Sequence, residues 1–246
     1  MATATDHRRR RRRHYLYGDY VTQIATEGRQ LAGQAHERFS RLLQAHDVPW
    51  LDVGVAVDKP SAGWRDGEGL EDRVVGEYGR VFDVIVVGRT TKPPTGDWNT
   101  ACEAALFESG RPVIVAPPTK PATLGENVLI AWNCSTETAR TIALSMPFLE
   151  RAKQVTVLTV EGGTVPGPSG EEIAKHLSRH GIPASAKTTH QQNRTVGEAI
   201  LQEAEALGAD FLVKGAYTQS RLRQMIFGGA TRHLLTYAML PLILAH

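Results

Sequence analysis

Short, largely apolar runs alternate with helical segments along this chain, and this alternation constrains the fold more than any other feature. The runs cover residues 83–88, 112–116, 127–132, 154–160, 211–213 and 241–245. Runs of this length without polar alternation are typical of strands that are buried on both faces of a parallel sheet. Because helical segments separate the runs, the sequence predicts parallel βαβ units with right-handed crossovers, which define the α/β class.

The chain contains an internal repeat on either side of a proline-rich segment. Three pairs of segments align, namely 46–49 with 180–183, 83–88 with 210–215, and 112–116 with 241–245. The shared order of elements predicts two similar modules, at 18–118 and 126–246, joined by a linker at 119–125. The first module is incomplete, since nothing in it corresponds to the strand, helix and strand predicted at 127–160.

The incomplete first module has two explanations. A sheet that lacks its first strand and crossover exposes apolar surface, which the second half or another subunit could cover. Alternatively, the recorded start is truncated or misplaced. We favour the second explanation, because an unpaired strand edge in a parallel sheet is a liability.

Six consecutive arginines, Arg8 to Arg13, dominate the first 17 residues. These residues carry no apolar period, so the sequence predicts a disordered tail. The formal charge of +2 becomes −4 when the six arginines are left out, so the rest of the chain is mildly acidic. A nucleic-acid partner would therefore bind through the tail alone, by counterion release, and we treat this role as a disfavoured alternative.

A helical period follows the tail, between residues 20 and 45. Apolar residues recur there at spacings of three, four and seven, namely Ile24, Leu31, Ala35, Phe39, Leu42 and Leu43. This stripe predicts an amphipathic helix. Further along, the alternation at 50–57 predicts a strand, and 70–82 predicts a second helix whose inner face is formed by Val74, Val75, Tyr78, Val81 and Phe82.

The sequence also indicates a cytoplasmic protein without a membrane partner. It contains no apolar run of the roughly 18 residues that a membrane span requires, and no secretory signal near its start. Cys102 and Cys134 are far apart and lack the spacing of a metal site, which suits a reducing compartment.

Three segments resemble the universal stress protein family, namely 208–217, 227–235 and 128–133. The resemblance covers nearly all of 126–246 and extends more weakly over 20–117. It implies two α/β modules of the adenine nucleotide alpha hydrolase-like type, each an open, mostly parallel, five-stranded sheet with helices on both faces. It also implies that the two modules pair through their last strands, at 112–116 and 241–245, and that a homodimer or an unidentified protein partner is to be expected.

The same resemblance implies an ATP site in nucleotide-binding members, with the pattern Gly, two residues, Gly, nine residues, Gly, then Ser or Thr. Here Gly215 and Gly228 match the first and third glycines, and Thr218 stands in place of the second. Gly229 stands where the pattern has Ser or Thr, and Thr231 supplies a hydroxyl two positions later. Asn133 stands where the first strand of such members ends in Asp. We therefore expect no firmly bound cofactor, and at most a degraded ATP site in the second module, formed by Asn133, Gly215, Gly228, Gly229 and Thr231.

The residues themselves leave two interpretations open for the pair Gly228 and Gly229. Glycines after a strand and before a helix let backbone N–H groups approach a phosphate at the helix N-terminus. The same pair also permits a tight turn and close packing of the helix on the sheet.

No catalytic or metal-binding set stands out in the sequence. His176 and His180 lie four residues apart but lack a third ligand at a suitable spacing, and Ser135 or Thr136 is expected to cap a helix. We therefore predict a non-catalytic regulatory or protective role in a stress response. The alternative is an ATP-binding α/β protein with weak ATPase or phosphotransfer activity.

Overall fold

The structure, a computed structural model, describes residues 4–51, 58–67, 69–89, 98–216 and 229–246. The chain divides into two compact units, Met1–Glu68 and Gly69–His246. The predicted module boundaries at 18–118 and 126–246 do not coincide with this division, since residues on both sides of the predicted linker lie in the second unit.

The first unit is built on one long helix, α1 (Ala4–Ala45). This helix includes the arginine tract, for which the sequence predicts disorder. Arginine has a high intrinsic helix propensity, so a helix that has formed further along the chain extends through the tract without an apolar period. Near the C-terminal end of α1, the rings of His36 and Phe39 both lie within 5.6 Å of the rings of Trp50 and Trp64.

The second unit is an α/β structure, which confirms the predicted fold class. Its strands are β1 (Ile85–Gly88), β2 (Val113–Ala116), β3 (Asn127–Trp132), β4 (Gln154–Glu161), β5 (Ala184–His190), β6 (Phe211–Gly215) and β7 (Leu242–Ala245). Its helices are α2 (Glu71–Tyr78), α3 (Trp98–Glu108), α4 (Thr136–Leu149), α5 (Gly170–Arg179), α6 (Val196–Ala206) and α7 (Ala230–Tyr237), with a 3-10 turn at Gly79–Val81 after α2.

The described strands form one seven-stranded sheet in the order β1-β2-β7-β6-β3-β4-β5. The five strands from β7 to β5 are parallel, as predicted for the sheet of 126–246. Strand β2 pairs with β7 in the antiparallel direction, with Val113 opposite Leu244 and Ile114 opposite Ile243. Strands from both sides of the predicted linker therefore share one continuous sheet.

The aligned segments of the repeat have the same strand pairing and register. Gly88 at the end of β1 pairs with Ala116, and Gly215 at the end of β6 pairs with Ala245. The strand starts match as well, since the N–H of Ile85 donates to the carbonyl of Pro112 at 3.1 Å, and that of Leu212 to Pro241 at 3.0 Å.

Hydrophobic clusters cover both faces of the sheet. On one face, strand residues such as Leu129 and Leu212 pack with α3, α6 and α7, and on the other face Ile130 and Val213 pack with α4 and α5. In the central strands β3, β6 and β7, consecutive apolar residues therefore enter opposite clusters, and all of these apolar residues are buried. This burial is the physical reason why the strands appear in the sequence as apolar runs without polar alternation.

One local prediction falls mostly outside the described residues, and another is partly wrong. The strand predicted at 50–57 falls mostly on residues outside the described part, where only Trp50 forms an isolated bridge with Ala62. The predicted inner helical face at 70–82 is wrong at its end, because Tyr78, Val81 and Phe82 are 51%, 78% and 55% exposed. The chain tightens into a 3-10 turn after Tyr78, and the change from 3.6 to 3.0 residues per turn moves Val81 and Phe82 off the face that the helix pattern predicts.

Candidate functional site

The candidate site lies where β3 and β6 end side by side. The two strands are parallel neighbours, with Ile130 opposite Val213, so their carboxyl ends meet at one edge of the sheet. Asn133 follows β3 directly, and Gly215 is the last residue of β6. Ligands of open α/β sheets bind at this edge, which makes it the place to test the predicted residues.

The side-chain oxygen of Asn133 accepts hydrogen bonds from its own turn. Thr138 donates its hydroxyl to Asn133 Oδ1 at 2.5 Å, and the backbone N–H of Ser135 donates to the same oxygen at 3.4 Å. Between them Cys134 has a positive φ of 66°, which the tight turn requires. The amide oxygen that could contact a ribose is therefore held by the protein itself.

Ser135 caps α4, as the sequence predicts for Ser135 or Thr136. Its hydroxyl oxygen accepts a hydrogen bond from the backbone N–H of Thr138 at 3.2 Å. This cap satisfies one of the free N–H groups in the first helical turn. The cap also fixes Thr138 at the position from which it contacts Asn133.

Gly215 faces the first turn of α4. Its N–H donates to Thr138 Oγ1 at 3.3 Å. A Cβ added at Gly215 would lie 2.6 Å from the carbonyl carbon of Glu137 and 2.7 Å from Thr138 Oγ1, well inside van der Waals contact. This glycine therefore permits close packing of helix on strand, and Thr138 connects it to Asn133. Thr138 was not identified from the sequence, although the spacing Ser135-x-x-Thr138 at a helix start is its signal.

Gly229 and Thr231 lie at the start of α7. Gly229 is the residue before the helix and has an extended backbone, with φ −69° and ψ 169°, and no side chain caps this end. Thr231 is 5% exposed. Gly228 lies outside the described residues. The structure thus brings together Asn133 and Gly215 through Thr138, and places Gly229 and Thr231 at a separate helix start.

A buried lysine, Lys214, also lies at this edge of the sheet and was not predicted. It is 5% exposed, and its Nζ donates to the carbonyl of Gly215 at 3.4 Å. Burial lowers the pKa of Lys214 to about 8, while the negative charge of Glu137 acts in the opposite direction. Within the described part of the chain, Glu137 Oε2 is buried without a hydrogen-bond partner. Opposite charges therefore face the same buried region.

The loop between β4 and α5 covers the turn after β3. The carbonyl of Pro168 accepts hydrogen bonds from Trp132 Nε1 at 2.9 Å and from Cys134 Sγ at 3.2 Å. The N–H of Val165 donates to the carbonyl of Asn133 at 3.1 Å. The loop approaches so closely that a Cβ at Gly167 would lie 2.8 Å from the Cys134 Cβ. The turn around Asn133 is therefore packed by this loop and, through Thr138, tied to β6.

Other candidate groups offer no chemistry among the described residues. The rings of His176 and His180 contact each other at 5.0 Å, yet no group of three or more metal-ligating side chains occurs in the described ranges. Burial raises the pKa of Cys102 to about 12, which keeps its thiol protonated at neutral pH. None of the described helices is long and apolar enough to cross a membrane.

Comparisons with known proteins agree with this fold. No protein-family model matches the sequence, and no curated protein matches it. The structure is similar to a universal stress protein from Archaeoglobus fulgidus DSM 4304, with a TM-score of 0.57 and 15% identity over 77% of this chain and 67% of that one. It is also similar to a protein from Pseudomonas aeruginosa UCBPP-PA14 that is provisionally described as a universal stress protein. Here the TM-score is 0.50 and the identity 15%, over 87% of this chain and 77% of the other. The chain therefore has the universal stress protein fold.

Proposed function

We propose that this chain, which has the universal stress protein fold, is a non-catalytic regulatory or protective module of the cytoplasm. It acts in a stress response by binding a protein partner. Its nucleotide site is degraded, and its own residues occupy the hydrogen-bonding groups that a nucleotide would use.

The contacts of Thr138 carry this proposal. One hydroxyl donates to Asn133 Oδ1 and accepts from the N–H of Gly215, so it engages a group on each of two neighbouring strand ends. A nucleotide would have to replace both hydrogen bonds, and the freed Thr138 hydroxyl would then need new partners. Close packing of Gly215 on α4 leaves no room for a ligand on that side of the glycine.

The sequence around this network supports the same conclusion. Thr218 adds a Cβ at the position where the family pattern has its second glycine, and Asn133 lacks the charge of the usual Asp. Among the described residues, the two groups whose pKa is most strongly shifted, Lys214 and Cys102, are both buried.

Isothermal titration of the full chain with MgATP tests the proposal. We expect no binding heat above that of dilution, and no release of phosphate during prolonged incubation. The matched variant Gly228→Val should give the same traces as the native chain, and thermal unfolding should show that both proteins are folded.

Two outcomes would contradict the proposal in different ways. Micromolar ATP binding that Gly228→Val abolishes would show that the site is functional and that the Thr138 network opens. Binding together with ATP turnover would in addition establish the alternative function, a weak ATPase or phosphotransferase.

A further inference from the structure

We draw no further inference here: the strongest candidate, the outer edge of strand β1 in the described sheet together with the apolar surface at Val86, carries none, because nothing in the structure shows what covers it.

Discussion

Two glycines at matching positions of the aligned segments 83–88 and 210–215 have opposite surroundings. Gly88 and Gly215 each end a strand and each pair with an alanine of the neighbouring strand. Among the described residues, a Cβ at Gly88 would meet nothing within 4 Å, whereas one at Gly215 would lie 2.7 Å from Thr138 Oγ1. The packing of α4 makes the difference, since no helix of the described first half takes the place of α4 beside β1.

We therefore expect Gly215→Ala to destabilise the protein and Gly88→Ala to leave it nearly unchanged. The methyl group at Gly215 must displace backbone atoms of Glu137 and Thr138, and overpacking of this kind costs about 1–3 kcal/mol or more. Surface substitutions away from such contacts stay within about 0.5 kcal/mol. Urea unfolding of the two variants gives both free energies, and equal losses would show that α4 can move away from β6.

Lys214 predicts a pH dependence of stability. Burial lowers its pKa to about 8 in the folded chain, below the ordinary value of 10.5 that applies after unfolding. Between these pH values the unfolded chain holds more protons, so the free energy of unfolding rises as the pH increases from 8 to 10.5 and is lowest, for this group, below pH 8.

Replacing the lysine tests this expectation. Lys214→Met removes the charge and keeps the buried aliphatic stem, so we expect the unfolding free energy at pH 7 to rise by about 3 kcal/mol, at 1.36 kcal/mol per pKa unit. The rise above pH 8 should be smaller in the variant. Guanidinium unfolding between pH 7 and pH 10 measures both effects, and parallel curves for the native and variant chains would contradict the assignment.

At the scale of elements, one arginine joins helix α7 to the end of strand β1. Arg89 is 8% exposed, and its Nη1 donates to the carbonyl of Thr236 at 2.5 Å, while Nη2 contacts Met239 Sδ at 3.4 Å. Thr236 lies in the last turn of α7, where carbonyl groups lack helical partners and the helix carries partial negative charge. No basic residue occurs in that turn, so Arg89 supplies the positive charge from another element.

We expect Arg89→Met to loosen the end of α7. The substitution leaves the Thr236 carbonyl without its charged donor, which costs about 1.5–3 kcal/mol. Hydrogen exchange should therefore increase for amides in the last turn of α7 and after it. Arg73→Met is the control, since Arg73 pairs with Glu77 at an exposed surface and its loss should have no measurable effect. Unchanged exchange in α7 would show that the helix end is held by other contacts.

At the scale of the whole molecule, one sheet and one pair of hydrophobic clusters extend across both halves of the second unit. Val113 and Val115 of β2 pack in the same cluster as Leu129, Leu158 and Leu212. The antiparallel pairing of β2 with β7 places Ile114 opposite Ile243 at the junction. Because the halves share their core, we expect them to unfold together.

Ile114→Ala tests this cooperativity. Removing a buried isoleucine side chain costs about 2–5 kcal/mol, and in a shared core the loss lowers the protection of every strand. Hydrogen exchange of the most protected amides in β2 and in β3 should therefore fall by the same free energy. Val86→Ala, at a side chain that is 62% exposed, is the control and should change neither. Loss of protection confined to β1 and β2 would show two independently folding modules.

The sequence predicts much of this fold because the dominant signals are local. The apolar runs that become β3, β6 and β7 lack polar alternation since both faces of the sheet are covered, and Ser135 caps α4 where its type and position indicate. The α/β class and the parallel order of the second half follow from such signals. The long extent of α1 does not, because helix propensity in an arginine tract gives no apolar period to detect.

The sequence by itself determined that this chain forms alternating strands and helices, that its halves share a pattern, and that Asn133 and Gly215 lie at strand ends. Only the tertiary structure decided what those two residues do. Thr138 lies 77 positions before Gly215, and it reaches both groups because α4 packs across the ends of β3 and β6. Contacts between residues so distant along the chain depend on how the elements pack, and local propensity carries no information about that packing.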